Sequence, residues 1–388
     1  MNQEINLAIV SHSYPTKQAP AQASFIKNEA HLLSDELQVD VYIPSVYALP
    51  FQPQYVRSLH PDEDELTVHK FSYLSFPRKK LASITRKSLS GRLLASLEKQ
   101  RADVVHLHWL YPAGLAIPAL QHAGYKTVLT IHGGDWNSKS KKLMPMFHQS
   151  MLASHKIICV GKKLSEEICS YDPALEKKVV HISHGIESDQ FYPASDRKKE
   201  ADQLGWETTK INILCIANLY NEKGVDLLID AFAMQKNRQE LHLHIVSPSS
   251  DEPTKEDVNN RIATHSLSDS VTFYGGMNQE KLSTFFRASD LLVSPSRKEG
   301  FGLVVAEAIS SGTPVLATRS GGPEEIVNSD CGMLVDAGSS EKLAHGMATI
   351  LDTLDHFDPA VMHRFIRTNF SITAKREKLM AVYREILE

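Results

Sequence analysis

Apolar residues along this chain come in short runs separated by longer stretches of mixed character. INLAIV at 5–10 reads as a strand, and 24–37 follows with Phe25, Ile26, Ala30, Leu32, Leu33 and Leu37 at helical spacing. VDVYIP, ADVVHLH, KTVLTIH, HKIICVG and KKVVHIS predict further strands, with enough chain between them for crossover helices. Strands this apolar, separated by helices, point to a parallel sheet covered on both faces. From Gly185 to about Lys210 the pattern breaks into a charged stretch with Pro193 and few apolar residues. Alternation resumes with INILCIA, a helix over 224–236, then LHLHIV, VTFYGG, DLLVSP, TPVLAT and CGMLVD. The pattern therefore predicts an α/β chain of two doubly wound units, 1–185 and 209–368, joined by a linker at 186–208. A last helical stretch within 369–388 carries Ile372, Leu379, Met380, Val382, Tyr383 and Ile386, and fits either unit or a bridge between them. Sheets of this kind bind ligands beyond their C-terminal strand ends, so two of them imply a cleft.

Composition narrows the classes. With 42% hydrophobic and 23% charged residues the chain is globular rather than disordered. A net charge of -4 argues against a dedicated nucleic-acid binder. Cys159, Cys169, Cys215 and Cys331 form no CxxC pair and read as free thiols of a reducing compartment. The run Ile5–Val10 is too short for a signal-peptide core, and no window approaches a membrane span. The expectation is a cytoplasmic protein.

Candidate chemistry concentrates in SPSRKEGFGLVVAE, 294–307. A strand runs into a turn, a glycine pair and an apolar helical run. Gly300 and Gly302 permit close backbone approach, and the amides opening the next helix are free for phosphate or sugar oxygens. Glu299 lies in the loop and Glu307 two helical turns on, inside an apolar helix where a solvated glutamate is out of place. A second glycine turn, SGGPEE at 320–325, lies one crossover away; helix capping alone accounts for Glu324 and Glu325. Lys223 and Gly224 follow the first strand of the second unit, where a lysine can reach a phosphate. In the first unit His106 and His108 share one strand face, with no third metal ligand evident; packing and hydrogen bonding suit them better. His132, at a strand end before Gly133, Gly134 and Asp135, is the strongest active-site candidate of that half.

These blocks together resemble the retaining glycosyltransferases of family 4, also called glycosyl transferases group 1, over nearly the whole chain. The most specific element is the glutamate pair in PSRKEGFGLVVAEA; SGTPVLATRSGGPEEIV, HLHW, HGGD, HISHGIESDQFYP and KGVDLLIDAF match further blocks in order. The resemblance implies a GT-B fold, two Rossmann-like domains facing across a deep cleft. It implies transfer of a hexose-type sugar from a UDP- or GDP-linked donor to a sugar or lipid-linked acceptor, with retention and without a metal or other cofactor. By the same resemblance Glu299 holds hydroxyls of the transferred sugar. Gly300, Phe301, Gly302 and Leu303 offer backbone amides, Glu307 binds the ribose, Lys223 neutralises the diphosphate and His132 contacts the donor sugar. Asn218 occupies the donor-facing position where the family usually carries an arginine, and His184–Glu187 replace the common N-G-I-D. A sugar-nucleotide epimerase of the same fold and a non-catalytic sugar-binding protein are the alternatives. SHSYPTKQAP after the first strand is not the G-x-G-x-x-G of a dehydrogenase.

Arg78, Lys79, Lys80, Arg86, Lys87, Arg92 and Lys99 interleave with Leu81, Ile84, Leu89, Leu93, Leu94 and Leu97, and Lys139, Lys141 and Lys142 form a second basic cluster. An ordinary amphipathic helix explains this pattern; peripheral contact with an anionic membrane is the functional alternative.

Overall fold

The strand Asn6–Val10 (β1) lies inside a seven-stranded sheet with its last four residues buried. Gln38–Val46 (β2) and Thr67–Tyr73 (β3) extend it on one side. Val104–His108 (β4), Lys126–Ile131 (β5), Lys156–Cys159 (β6) and Val179–His181 (β7) extend it on the other. Every pairing is parallel, in the order β3-β2-β1-β4-β5-β6-β7. The pattern of apolar runs misses β3 for a physical reason. It is an edge strand in which only Tyr73 is fully buried, and its polar His69 pairs with Asp40 of β2 at 2.8 Å.

This computed structural model describes residues 5–15, 23–47, 66–76, 81–137 and 142–388. It divides into two units, one ending at Ser183 and regaining Lys375–Glu388, the other spanning His184–Ala374. The returning segment belongs to the helix Ile372–Leu387. Leu379, Met380, Val382, Tyr383 and Ile386 join Leu7, Ile9, Ile26 and Val41 in the first unit's core. Each such burial contributes roughly 1.5–3 kcal/mol. The last helix, open in the sequence, thus completes the first unit.

The second unit holds Ile211–Ile216 (β8), Leu241–Val246 (β9), Val271–Tyr274 (β10), Leu291–Ser294 (β11), Val315–Arg319 (β12) and Gly332–Asp336 (β13). They form one parallel sheet, β10-β9-β8-β11-β12-β13. The stretch 186–208, expected as a linker, packs within this unit. Asp196 caps the helix Arg197–Gln203 by accepting from the Lys199 amide at 3.2 Å. Trp206 lies flat on His244, ring centroids 3.6 Å apart, and donates to the Tyr274 hydroxyl at 3.0 Å. Phe191 is buried against Phe286. Few apolar residues suffice because two are large aromatics.

The basic segment forms the helix Ala82–Leu97. Leu89, Leu93 and Leu97, four apart, are buried, whereas Leu81 and Ile84 are 56% and 42% exposed. Arg78, Lys79, Lys80, Lys139 and Lys141 lie outside the described residues. The four cysteines are free, and three of them are buried. Among the described residues no helix is long and apolar enough to cross a membrane.

Candidate functional site

Strand order reverses between β1 and β4 in the first unit and between β8 and β11 in the second. Loops at such switch points border the ligand crevice of doubly wound sheets. Lys223 follows β8 and Glu299 follows β11, so the second switch point falls on the residues that the sequence singles out.

Local chemistry seats them. Lys223 closes a short turn, Asn221–Lys223, and Gly224 begins the helix Val225–Ala233. Gly224 has φ +67°, and a Cβ there would stand 2.2 Å from the Pro295 carbonyl oxygen, so only glycine fits. Arg297 clips the two loops together. Its guanidinium donates to both oxygens of Asp226 at 2.8 and 2.6 Å and to the Asn221 carbonyl at 2.6 Å. Its amide donates to the Glu222 carbonyl at 2.8 Å. Lys223 Nζ thereby reaches Glu299 Oε2 at 2.7 Å. Ser296 Oγ donates to the same oxygen at 3.3 Å, and the Gly300 amide to Oε1 at 3.3 Å.

A third loop, after β12, joins through the backbone. The Glu299 amide donates to the Ser320 carbonyl at 2.9 Å, and the Gly322 amide to the Glu299 carbonyl at 3.1 Å. A Cβ on Gly322 would fall 2.1 Å from the Phe301 oxygen. Gly302, at φ +96°, then opens the helix Leu303–Ser310. First-turn amides of a helix have no internal partner, so those at Gly302 and Leu303 give this end of the helix a positive potential that suits an anion. The Phe301 side chain is buried between His184 and Phe370.

Glu307 lies on this helix and is 8% exposed. Burial, and then the Glu187 carboxylate, push its carboxyl up to about 8. Glu187 also lines a cavity of about 620 Å³ with Arg367 and Ser371, beside rather than among the Lys223–Glu299 loops. Asn218 follows β8, and its side-chain oxygen is buried without a partner. Such an atom costs stability unless something bonds to it, as a ligand would.

The first switch point is built differently. His132 follows β5 and is ringed by Trp109 at 4.7 Å and Phe25 at 5.1 Å between ring centroids. Trp109 follows β4 with φ +70°, a conformation that costs about 1–3 kcal/mol for a bulky residue. Its amide donates to the Thr130 carbonyl at 2.9 Å, and its carbonyl accepts from Gly114 at 3.0 Å, which holds it there. Asp135 ties the loop after β5 to that after β4, accepting from the Leu110 amide at 2.8 Å and the Trp136 amide at 3.0 Å. Burial pushes the Asp135 carboxyl up to about 6, against the pull of these amides. His12, after β1, packs edge-on to Trp109, and burial lowers its ring to about 4.

Behind His132 the histidines of β4 meet a buried carboxylate, Glu29. His106, His108 and Glu29 bring ligand atoms within 4.8 Å of one another, a spacing suited to a metal ion. The groups already serve one another. The Lys375 ammonium sits 2.6 Å from Glu29 Oε2, and the His106 nitrogens face the Tyr383 hydroxyl at 2.7 Å and the Thr130 hydroxyl at 2.6 Å. Burial first, and the neighbouring His108 second, bring His106 down to about 3.

The structure thus gathers Lys223, Glu299, Gly300, Phe301, Gly302 and Leu303 at one switch point, with Asn218 at the end of β8 and Glu307 deeper on the helix. His132 stands at the other unit's switch point. Sequence reasoning missed Arg297, Glu187, His12, Trp109, Glu29 and Lys375. Glu29 had a usable signal, being a glutamate among Ile26, Ala30 and Leu33 on an apolar helix face, the same cue that marked Glu307.

Two doubly wound units, one with a lysine, a carboxylate and helix-start amides at its switch point, make an arrangement suited to an anionic ligand. Two family models match: "Glycosyltransferase Family 4" over residues 23–190 and "Glycosyl transferases group 1" over 196–358. A lipopolysaccharide core biosynthesis mannosyltransferase of Rhizobium meliloti is 29% identical over 53% of this chain and 60% of its own length. An uncharacterised glycosyltransferase of Methanocaldococcus jannaschii is 26% identical over 89% of each chain. The HepE protein of Anabaena, solved in complex with UDP-glucose, superposes with a TM-score of 0.77 at 16% identity, over 98% of this chain and 100% of that one. The chain belongs to the GT-B glycosyltransferases of family 4 and group 1, and is a sugar-transferring enzyme.

Proposed function

We propose that the chain is a retaining hexosyltransferase that takes a UDP- or GDP-linked sugar on its second unit and passes the sugar to a sugar or lipid-linked acceptor. The observation that carries this reading is the 2.7 Å pair of Lys223 and Glu299 at the switch point, framed by glycine loops that leave helix-start amides free. A diphosphate needs a cation and amide donors, and sugar hydroxyls need a carboxylate acceptor. The donor's diphosphate would take Lys223 and the amides at Gly302 and Leu303, its sugar hydroxyls Glu299, and its ribose Glu307. Asn218 offers an amide where a cation is usual, so Lys223 carries more of the charge. His132 is proposed to meet the donor sugar near C1.

In the reaction the bond from C1 to the phosphate oxygen breaks with its electron pair passing to the phosphate. The acceptor oxygen bonds to C1 on the same face, and its proton moves to the departing phosphate oxygen. Negative charge grows on the diphosphate, and Lys223 and the amides are already in place to receive it. Glu299 is a sugar-holding group in this account and forms no bond to C1. The HepE complex and the relatives named above support a nucleotide-sugar donor.

We place the enzyme in the cytoplasm, peripheral to the inner membrane face. Leu81 and Ile84 are exposed beside Lys87 and Arg92, so the start of the 82–97 helix offers an apolar tip with cations. Leu89, Leu93 and Leu97 are buried and unavailable to lipid. Co-sedimentation with anionic but not neutral vesicles, weakened by salt and by Ile84→Glu, is the expected result.

The test of the main reading is a panel of nucleotide sugars with several acceptors, scored for release of UDP or GDP and for the anomer formed. Acceptor-dependent release with retention is expected. A rearranged nucleotide sugar formed without acceptor would make the chain an epimerase. No release from any donor would make it a binding protein.

A further inference from the structure

Behind His132 lies a chain of polar groups that the transfer chemistry does not use directly. His132 Nε2 and His108 Nδ1 are 3.1 Å apart. His108 Nε2 faces Glu29 Oε1 at 3.4 Å as a charge contact, and neither atom has a hydrogen-bond partner. Glu29 Oε2 holds the Lys375 ammonium at 2.6 Å. All three of these inner residues are buried: Glu29 is 4%, Lys375 8% and His108 0% exposed. Burial alone would push the Glu29 carboxyl up, but the Lys375 ammonium, His108 and His106 outweigh it and hold it well below the ordinary carboxylate range. Glu29 is therefore an anion, and its charge is matched by Lys375.

The position of each ring proton follows. A lone pair on His108 Nε2 would oppose the carboxylate, so that nitrogen carries its proton. With Lys375 already balancing Glu29, His108 needs no second proton, and its Nδ1 is an acceptor. The proton between the two rings then belongs to His132 Nε2, which leaves the lone pair of His132 on Nδ1. We propose that Glu29 and Lys375, acting through His108, are positioning residues that fix the tautomer and orientation of His132, with Nε2 as donor to His108 and Nδ1 as the acceptor it offers to a sugar hydroxyl. An outer carboxylate does the same for imidazoles in triads and at metal sites. Lys375 reaches Glu29 from the segment that returns from the second unit, so the last helix takes part in the site as well as in the core.

The inference rests on the reading of His132 as a sugar-facing residue, yet its test does not. In the full chain, with ring-15N histidine and His132 assigned through His132→Gln, the imidazole proton is sought by NMR. The expected result is a proton bonded to His132 Nε2 and scalar-coupled across the hydrogen bond to His108 Nδ1. Glu29→Leu/Lys375→Met removes both buried charges together and spares the fold an unpaired one; it should abolish that coupling. A proton bonded to His108 Nδ1 in the parent, or a coupling unchanged in the double variant, would overturn the inference. In kinetics the double variant should lose roughly tenfold to a hundredfold in kcat, with the donor KM changed much less. Full turnover by His132→Ala would sink the sugar-facing reading and leave the NMR result standing.

Discussion

The two switch points of this enzyme do opposite things with charge. In the first unit, Glu29, Lys375, His106 and His108 are all buried behind a ring of aromatic residues, with Lys375 paired to Glu29. In the second, Lys223 and Glu299 remain 30% and 21% exposed, and most of the rest of the site is backbone brought close by glycines. One site is a fixed network whose charges hold a side chain in place. The other presents charge and amides to whatever arrives. On the reading proposed above, the same kind of sheet supports positioning in one unit and binding in the other, because burial decides whether a charge is spent internally.

The sharpest way to break this contrast is to remove one charge from each site. Glu29→Gln strands a buried ammonium, so unfolding should become easier by about 3–5 kcal/mol, read in denaturant. Glu29→Gln/Lys375→Met should recover much of that loss. Lys223→Ala should do the reverse: stability barely moves, whereas kcat drops by roughly 10²–10³ for want of a contact to the leaving diphosphate. Activity within about twofold of the parent would reject its assignment.

Backbone approach is the next target. Gly322→Ala puts a methyl where the Phe301 backbone already stands. The loops must part, at a cost of about 1–3 kcal/mol, and donor binding should weaken even though no side chain of the site is touched. An unaltered donor KM would mean that the loops tolerate separation.

A smaller effect concerns protons. Glu307, raised to about 8 by burial and by Glu187, is protonated in the free enzyme at neutral pH. As a carboxyl whose folded value is raised, it adds stability at low pH that fades as pH climbs through 8. Ribose hydroxyls prefer the carboxylate, so donor binding at pH 7 should release up to about one proton, and affinity should rise towards pH 8 and then level. Calorimetry in buffers of different ionisation enthalpy reads this directly, and Glu307→Gln should erase it. The smallest effect expected is from EDTA, which should leave turnover unchanged because Lys223 and the helix-start amides supply the counter-charge.

The sites differ as much in how they can be read from sequence. Serine-proline turn, Glu299, glycines and Glu307 lie within 294–307, so spacing alone places them at a strand–loop–helix junction. The first site is assembled from β4, β5, the 24–34 helix and the last helix; His106 and Tyr383 touch across 277 positions. No local pattern encodes such a contact. His132 was visible because it ends a strand before two glycines, but its supports were not. Buried apolar strands were legible throughout, whereas β3 was hidden by its exposed edge. The 186–208 stretch looked like a linker because Phe191 and Trp206 do the packing of many smaller residues.

The most direct test of the central claim is calorimetric titration of UDP and GDP into the parent enzyme and Lys223→Ala. The account predicts that one of the two nucleotides binds the parent, and that Lys223→Ala weakens it by about tenfold or more, the worth of one charge-assisted contact. Equal affinity in both proteins, or no binding of either nucleotide to the parent, would contradict it.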